Sequence, residues 1–234
     1  MNAPTSGPTV DAIKKEACRL GASVAGVLSL ESLLDTPSQG GQLHAYWPKR
    51  ATSALVFGLH HPPDQPHLDR WGGKLGTPGN RQLISIGAQL VEKLAHFYGI
   101  RAHDLPYAPS SGGIYLKEAA AKAGLGIIGK NNLLVTPEFG PHLRLRAMLL
   151  ELTVEDASPI SAFDPCCDCD APCWYRCPQE AFADGGYSVD RCRQQLQRDE
   201  MWPLPYDETT TSIDDRYVIA YCRECDLSCP VGSG

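Results

Sequence analysis

Apolar positions along the first 150 residues alternate between two spacings. Val10, Ile13, Ala17 and Leu20 recur at helical intervals, so residues 10 to 20 predict an amphipathic helix. Ser23 to Leu30 reads as a strand, and Ser53 to His60 (SALVFGLH) as a second, more apolar one. The second strand runs into a stretch rich in His, Pro and Gly, from His60 to Gly79, which cannot hold regular structure for long. A loop of that kind leaving a buried strand is often functional. Arg81 to Tyr98 is the clearest helix, with Leu83, Ile84, Ile86, Leu90, Val91, Leu94 and Ala95 at helical spacing and Gly99 placed as a C-terminal cap. Ile114 to Ala123 predicts a short Ala-rich helix that stops at Gly124. Asn131 to Thr136 and Leu143 to Val154 predict strands, the latter interrupted by Arg144, Arg146 and Glu151. The later strands lie too close together for crossover helices, so the pattern predicts a mixed α+β sheet and not a doubly wound parallel one.

The length of 234 residues accommodates one sizeable domain and a small one. The change in composition near Glu155 to Pro165 divides them into residues 1–157 and 158–234. A net charge of −6 argues against a broad nucleic-acid surface and leaves room only for a local basic patch. No apolar run approaches the ~18 residues that a membrane span needs. Met1 to Val10 lacks the charged and apolar parts of a signal peptide and has no twin arginine, so a cytoplasmic protein is expected.

Cysteine usage changes the picture most. Nine of the ten cysteines fall between Cys166 and Cys229. They read Cys166-x2-Cys169-x3-Cys173-x3-Cys177-Pro178 and Cys222-x2-Cys225-x3-Cys229-Pro230, with Cys192 between. This nearly repeats the bacterial ferredoxin pattern, in which three cysteines hold one cluster and the fourth, before proline, reaches the other. By that analogy Cys166, Cys169, Cys173 and Cys229 hold one 4Fe–4S cluster, and Cys177, Cys192, Cys222 and Cys225 hold a second. The x3 between Cys169 and Cys173 departs from the usual x2, and adjacent Cys167 could replace Cys166. A disulfide scaffold suits small secreted chains, not one whose first 165 residues are almost free of cysteine. Zinc accepts CxxC pairs but does not ask for the Cys-Pro endings. Cys18, on the first helix, is expected to be a buried structural thiol.

Lys122 to Val135 reads KAGLGIIGKNNLLV, with Gly124, Gly126 and Gly129 followed by Lys130 and Asn131. Such a turn offers backbone amides to an anion or a cofactor edge. It is neither the dinucleotide fingerprint nor a P-loop. Taken alone it equally reads as a helix stop and a turn into a strand.

The run LKEAAAKAGLGIIGKNNLL, then TPEFGPHLRLRAMLLEL, the first cysteine run, Asp190-Arg191-Cys192 and the second cysteine run resembles the epoxyqueuosine reductases, relatives of the corrinoid reductive dehalogenases. The resemblance covers Ile114 to Pro230. It implies a nitroreductase-like α/β module that binds cobalamin, followed by a ferredoxin-like module with two 4Fe–4S clusters. It also implies an oxidoreductase in which the clusters reduce the corrinoid to Co(I) for cleavage of a small electrophilic substrate. The alternative is an electron-transfer protein, or a corrinoid reductase acting on a corrinoid protein, with no organic substrate of its own. The electron donor implied is reduced ferredoxin or flavodoxin. Gly124, Gly126, Gly129, Lys130 and Asn131 are the positions carried over for cobalamin. No histidine is required as a lower ligand, so His60, His61 and His142 are expected to be solvated in loops or to serve packing.

The chain departs from that family where a proton donor is expected. The position of the family's aspartate is occupied by Ser110, that of a glutamate by Leu116 and that of a proline by Gly113. A serine hydroxyl is a poor acid near neutrality. Asp104, Tyr107 and Tyr115 are the nearby substitutes. The acidic charge, and a sequence that runs only four residues beyond Pro230, lead to the expectation that tRNA is an unlikely partner.

Overall fold

A computed structural model of the protein describes residues 10–39, 44–72, 76–155, 160, 162–205 and 217–232. In chain order its elements are α1 (Val10–Arg19), β1 (Val24–Ser29), α2 (Leu30–Leu34), β2 (Ser53–His60), α3 (Pro78–Tyr98), β3 (Ala102–Asp104), α4 (Leu116–Lys122), β4 (Ile127–Ile128), β5 (Leu134–Val135), β6 (Leu143–Leu150), α5 (Pro172–Tyr175), α6 (Val189–Met201), β7 (Leu204–Pro205), β8 (Tyr217–Val218) and α7 (Glu224–Leu227). Short 3-10 turns occupy Pro66–Asp69 and Pro109–Ser111. No helix among the described residues is long and apolar enough to cross a membrane.

The chain forms two compact units. One comprises Met1–Leu59, Leu83–Gly126 and Leu145–Ser161; the other comprises His60–Gln82, Ile127–Arg144 and Ala162–Gly234. These units cut across a single division at residue 157. Much of the segment expected to hold that division, 156–159 and 161, lies outside the described residues.

The first unit is built on a four-stranded sheet of order β1-β2-β6-β3. β1 runs antiparallel to β2, from Val24↔Gly58 to Ser29↔Ser53, and β3 runs antiparallel to β6. β2 is buried from Ser53 to Gly58, as its unbroken apolar run requires of a central strand. Ile13, Ala17, Val27, Leu55, Phe57, Leu83, Leu90, Leu94, Met148 and Leu150 form one core. Each large side chain buried there contributes about 1.5–3 kcal/mol. The end of α4 lies close against β1: a Cβ on Gly26 would stand 2.9 Å from Cβ of Ala123.

The second unit buries few large apolar side chains and contains much irregular chain. β4 and β5 pair through Ile127↔Val135 and Ile128↔Leu134, and β7 pairs with β8. Ser188 caps α6, its hydroxyl accepting from the amide of Arg191 at 3.3 Å. Ala171 and Glu180 adopt positive φ of 54° and 50°, so the chain around α5 is bent where side chains rarely allow it.

The α+β organisation, the elements α1, β1, β2 and α3 and the glycine stops follow the hydropathy pattern; Gly99 and Gly124 have φ of +66° and +75°. Several details differ. α3 starts at Pro78, not Arg81, because the Thr77 hydroxyl accepts from the amide of Asn80 at 3.1 Å and caps it. Ile84 is 45% exposed and so lies off the buried stripe. The expected strand at 131–136 shrinks to Leu134–Val135. Cys18 is exposed, not buried: buried Ala17 occupies the inward face of α1 and turns its neighbour outward.

Candidate functional site

In the second unit Cys166, Cys169, Cys173 and Cys229 line one cavity together with Lys130, Asn131, Pro172 and Pro230. Burial pushes the Cys173 thiol up to about 11, and its neighbours Cys229, Cys166 and Cys169 add to the effect. Burial raises Cys229 as well, with Cys166 and Cys169 again beside it.

A second set gathers elsewhere in the same unit. Burial pushes Cys225 up to about 12, followed by the effects of Asp226, Cys222, Cys192 and Cys177. Cys222 is raised by burial, with Asp199, Glu224 and Cys177 adding to it. The Tyr187 hydroxyl is raised by burial and by a hydrogen bond to Cys192. Helices place these thiols: Cys173 on α5, Cys192 on α6 and Cys225 on α7. The Cys222 amide donates to Asp199 Oδ2 at 2.8 Å, and the Ala181 amide donates to Cys177 Sγ at 3.3 Å. Cys167 is exposed and lines neither group.

Among the described residues no three His, Cys, Asp or Glu side chains converge on one metal ion. Each group of four thiols matches the one ligand per iron that a cubane cluster takes. Thiols raised by burial are protonated when unligated and release those protons as metal binds.

The turn after Gly126 serves the cysteine loops. The Lys130 amide donates to Cys166 Sγ at 3.4 Å, its ammonium donates to the Cys169 carbonyl at 3.0 Å, and its own carbonyl accepts from Trp174 Nε1 at 2.7 Å. Asn131 is 4% exposed and donates through Nδ2 to the Cys225 carbonyl at 3.3 Å. Lys130 thus braces a loop of the first cysteine set and Asn131 a loop of the second. A Cβ on Gly129 would lie 2.6 Å from Val135 and 3.4 Å from Cys166 Sγ. Of the five positions carried over for cobalamin, Gly129, Lys130 and Asn131 belong to this unit, whereas Gly124 and Gly126 belong to the other, where Gly124 ends α4.

Sequence reasoning missed a buried charged network. His61 and His142 are fully buried, not solvated in loops. His61 Nδ1 lies 2.9 Å from Asp69 Oδ1, and His142 Nδ1 lies 2.5 Å from Asp226 Oδ1. Arg144 and Arg223 each contact both carboxylates. Burial would raise Asp69, but the hydrogen bond from His61 and the charges of Arg144 and Arg223 hold it below the usual carboxylate range. Burial opposes Asp226 likewise, and His142, Arg223 and Arg144 lower it. An ionised carboxylate only accepts, so each Nδ1 donates to it, leaving each Nε2 for another partner. Those Nε2 atoms are buried without a hydrogen-bond partner among the described residues. The one signal in the sequence was the density of His and Asp in 60–69.

The proton-donor candidates lie in the first unit. Asp104 ends β3 and pairs with Arg146 Nη2 at 3.4 Å; Arg146 also donates to the Leu105 carbonyl at 3.1 Å. Tyr107 is 64% and Tyr115 39% exposed, and Ser110 sits on the 3-10 turn 109–111. Tyr107, Ser110 and Tyr115 make no side-chain hydrogen bond among the described residues, so nothing yet binds the four into one constellation. The loop is closed by Gly112 and Gly113, over which a trio absent from the sequence reading packs. Trp47 Nε1 donates to the Gly112 carbonyl at 2.8 Å. His44 Nε2 lies 3.2 Å from the Gly113 carbonyl oxygen, and Tyr46 stacks on His44.

No protein-family model matches the chain. An epoxyqueuosine reductase of Lactococcus garvieae (strain Lg2) is 31% identical over 166 residues, covering 70% of this chain and 43% of that one. The chain therefore matches less than half the length of this curated relative. A crystal structure of epoxyqueuosine reductase with an epoxyqueuosine-modified tRNA stem loop superposes with a TM-score of 0.65 at 23% identity, over 96% of this chain and 65% of that one. A reductive dehalogenase structure, described as suggesting a mechanism for B12-dependent dehalogenation, gives 0.63 at 18% identity, over 99% of this chain and 33% of that one.

These relatives correct the expectation that tRNA is an unlikely partner, because a protein of this fold is seen with a tRNA stem loop. The error was to reason from net charge: −6 is a sum over the whole chain and carries no information about any one surface. The chain is related in sequence to the epoxyqueuosine reductases, and its fold is one they share with the reductive dehalogenases.

Proposed function

We propose that the chain is an iron–sulfur, cobalamin-dependent reductase that carries electrons singly through two 4Fe–4S clusters to a corrinoid, for reductive cleavage of an electrophilic bond. The observation that carries this reading is the separation of eight cysteines into two groups of four neighbours within one unit. Cys166, Cys169, Cys173 and Cys229 would hold one cluster, and Cys177, Cys192, Cys222 and Cys225 the other. Kinship with epoxyqueuosine reductases, and a fold shared with a B12-dependent dehalogenase, support the corrinoid and the class of reaction. The clusters supply one-electron steps and the corrinoid a strongly reducing nucleophilic centre.

The protein's own residues do the rest. Lys130 and Asn131 fix a loop of each cluster site, and Pro178 and Pro230 redirect the chain after the last cysteine of each run. Gly124 and Gly126 offer backbone without side chains to a flat cofactor. For the proton, Tyr107 and Tyr115 are preferred over Asp104, which is already paired with Arg146, and over Ser110, a weak acid.

The test is anaerobic reconstitution followed by metal analysis and a cobalamin titration. About eight irons per chain, as two cubanes require, with stoichiometric cobalamin binding are expected. Epoxyqueuosine-modified tRNA stem loop and a halogenated aromatic are the first two substrates to offer with an artificial donor. Four irons or fewer would reject the two-cluster reading, and absence of cobalamin binding would reject the corrinoid.

A further inference from the structure

Four charged side chains close a ring beside one cysteine loop. Arg223 reaches Asp69 through Nη1 at 2.5 Å and Asp226 through Nε at 2.9 Å. Arg144 reaches the same two carboxylates at 2.7 Å and 3.5 Å. Asp226 is 3% exposed and directly follows Cys225 in the chain. A bare carboxylate buried there would oppose the arrival of an electron on any centre held by Cys225. Two guanidiniums facing two carboxylates leave the ring neutral, and arginine does not lose its proton within proteins. His142 holds Asp226 Oδ1 while both arginines reach its Oδ2, and His61 shares Asp69 Oδ1 with Arg144, so each carboxylate is held by three side chains.

The balance matters because charges away from water interact strongly, and the potential of an iron–sulfur cluster responds to local charge, hydrogen bonding and exposure. We infer that Arg223 and Arg144 are positioning residues that set the reduction potential of the cluster on Cys177, Cys192, Cys222 and Cys225, holding it above the value it would have beside an uncompensated Asp226. The inference rests on the cluster reading given above. It assigns a reason for a buried ionic ring in a unit that buries few large apolar side chains: the ring keeps a carboxylate in the loop without letting its charge repel electrons.

The experiment is a redox titration of the full-length, reconstituted protein followed by electron paramagnetic resonance, with iron counted first. Arg223→Gln removes one positive charge. It is expected to lower the reduced-to-oxidised ratio of one cluster about tenfold at fixed potential, a shift of about 59 mV to the negative for a one-electron couple. The other cluster serves as an internal reference. Asp226→Asn is expected to shift the same cluster the opposite way, and Arg223→Lys to restore most of the wild-type value. A purely structural role would not produce opposite signs. Should Arg223→Gln fail to hold the cluster, Asp226→Asn and Arg144→Gln give the same readout. Shifts of one sign in the glutamine and asparagine variants, or unmoved potentials with both clusters intact, would overturn the inference alone. A wild-type protein without clusters would overturn the cluster reading and this inference with it.

Discussion

At Gly140 the backbone φ is +53°, and a Cβ there would lie 1.9 Å from the carbonyl oxygen of Val231. Gly140→Ala therefore meets both a strained backbone and a rigid obstacle. A loss of about 1–3 kcal/mol is expected in denaturant unfolding of the apoprotein. Cys177→Ala removes one ligand of the second set and should reduce bound iron by about half, to one cubane per chain; eight irons retained would refute that assignment. Acid offers a third test. Asp69 and Asp226 titrate below their unfolded value of about 3.9. Their stabilising contribution is present above about pH 4 and is lost as pH falls through the folded values. Thermal melts of the apoprotein are expected to fall steeply below that point, and the step should shrink in Asp69→Asn. The cysteine ligands could be read from the chain because their spacing is local. The His142–Asp226 pair could not, because 84 residues separate its partners and neither carries a local signature.

At the level of elements, period decided what was legible. α1 and α3 announced themselves by apolar stripes, and β2 by an unbroken run. α2 did not, since five residues after Ser29 are too few to show a period; a cap, the Ser29 hydroxyl accepting from the Ser32 amide at 3.0 Å, creates it. The early start of α3 has the same origin. Thr77→Ala is expected to cost about 0.5–2 kcal/mol and to raise hydrogen exchange in the first turn. That turn holds Gly79, whose absent Cβ would stand 2.1 Å from the His61 ring. The turn at 129–131 was legible as glycine-rich, but not as the brace of two cysteine loops, because its partners lie in distant sequence.

For the molecule as a whole, kinship was legible from motif order, whereas the partition of the chain was not. Composition changes once, near residue 157, but the second unit draws three separate stretches from the sequence. Its cysteines come from the last stretch, its Asp69 and His61 from the first, and its Lys130, Asn131, His142 and Arg144 from the middle. Contacts between distant segments leave no periodic trace, so no reading of hydropathy would have found them. The brace formed by Lys130 and Asn131 therefore bears on whether this iron-binding half is portable. Expressed alone, residues 162–234 would resemble a small ferredoxin on paper, with every thiol present. They would lack the ammonium on Cys169, the amide on Cys225 and the salt bridges of Arg223 to Asp69. Such a fragment is expected to take up less iron than the full chain and to lose it faster to a chelator. Supplying residues 60–144 as a second polypeptide is expected to restore part of the difference. What looks in sequence like an appended cassette is, in three dimensions, a part that cannot be lifted out and grafted elsewhere.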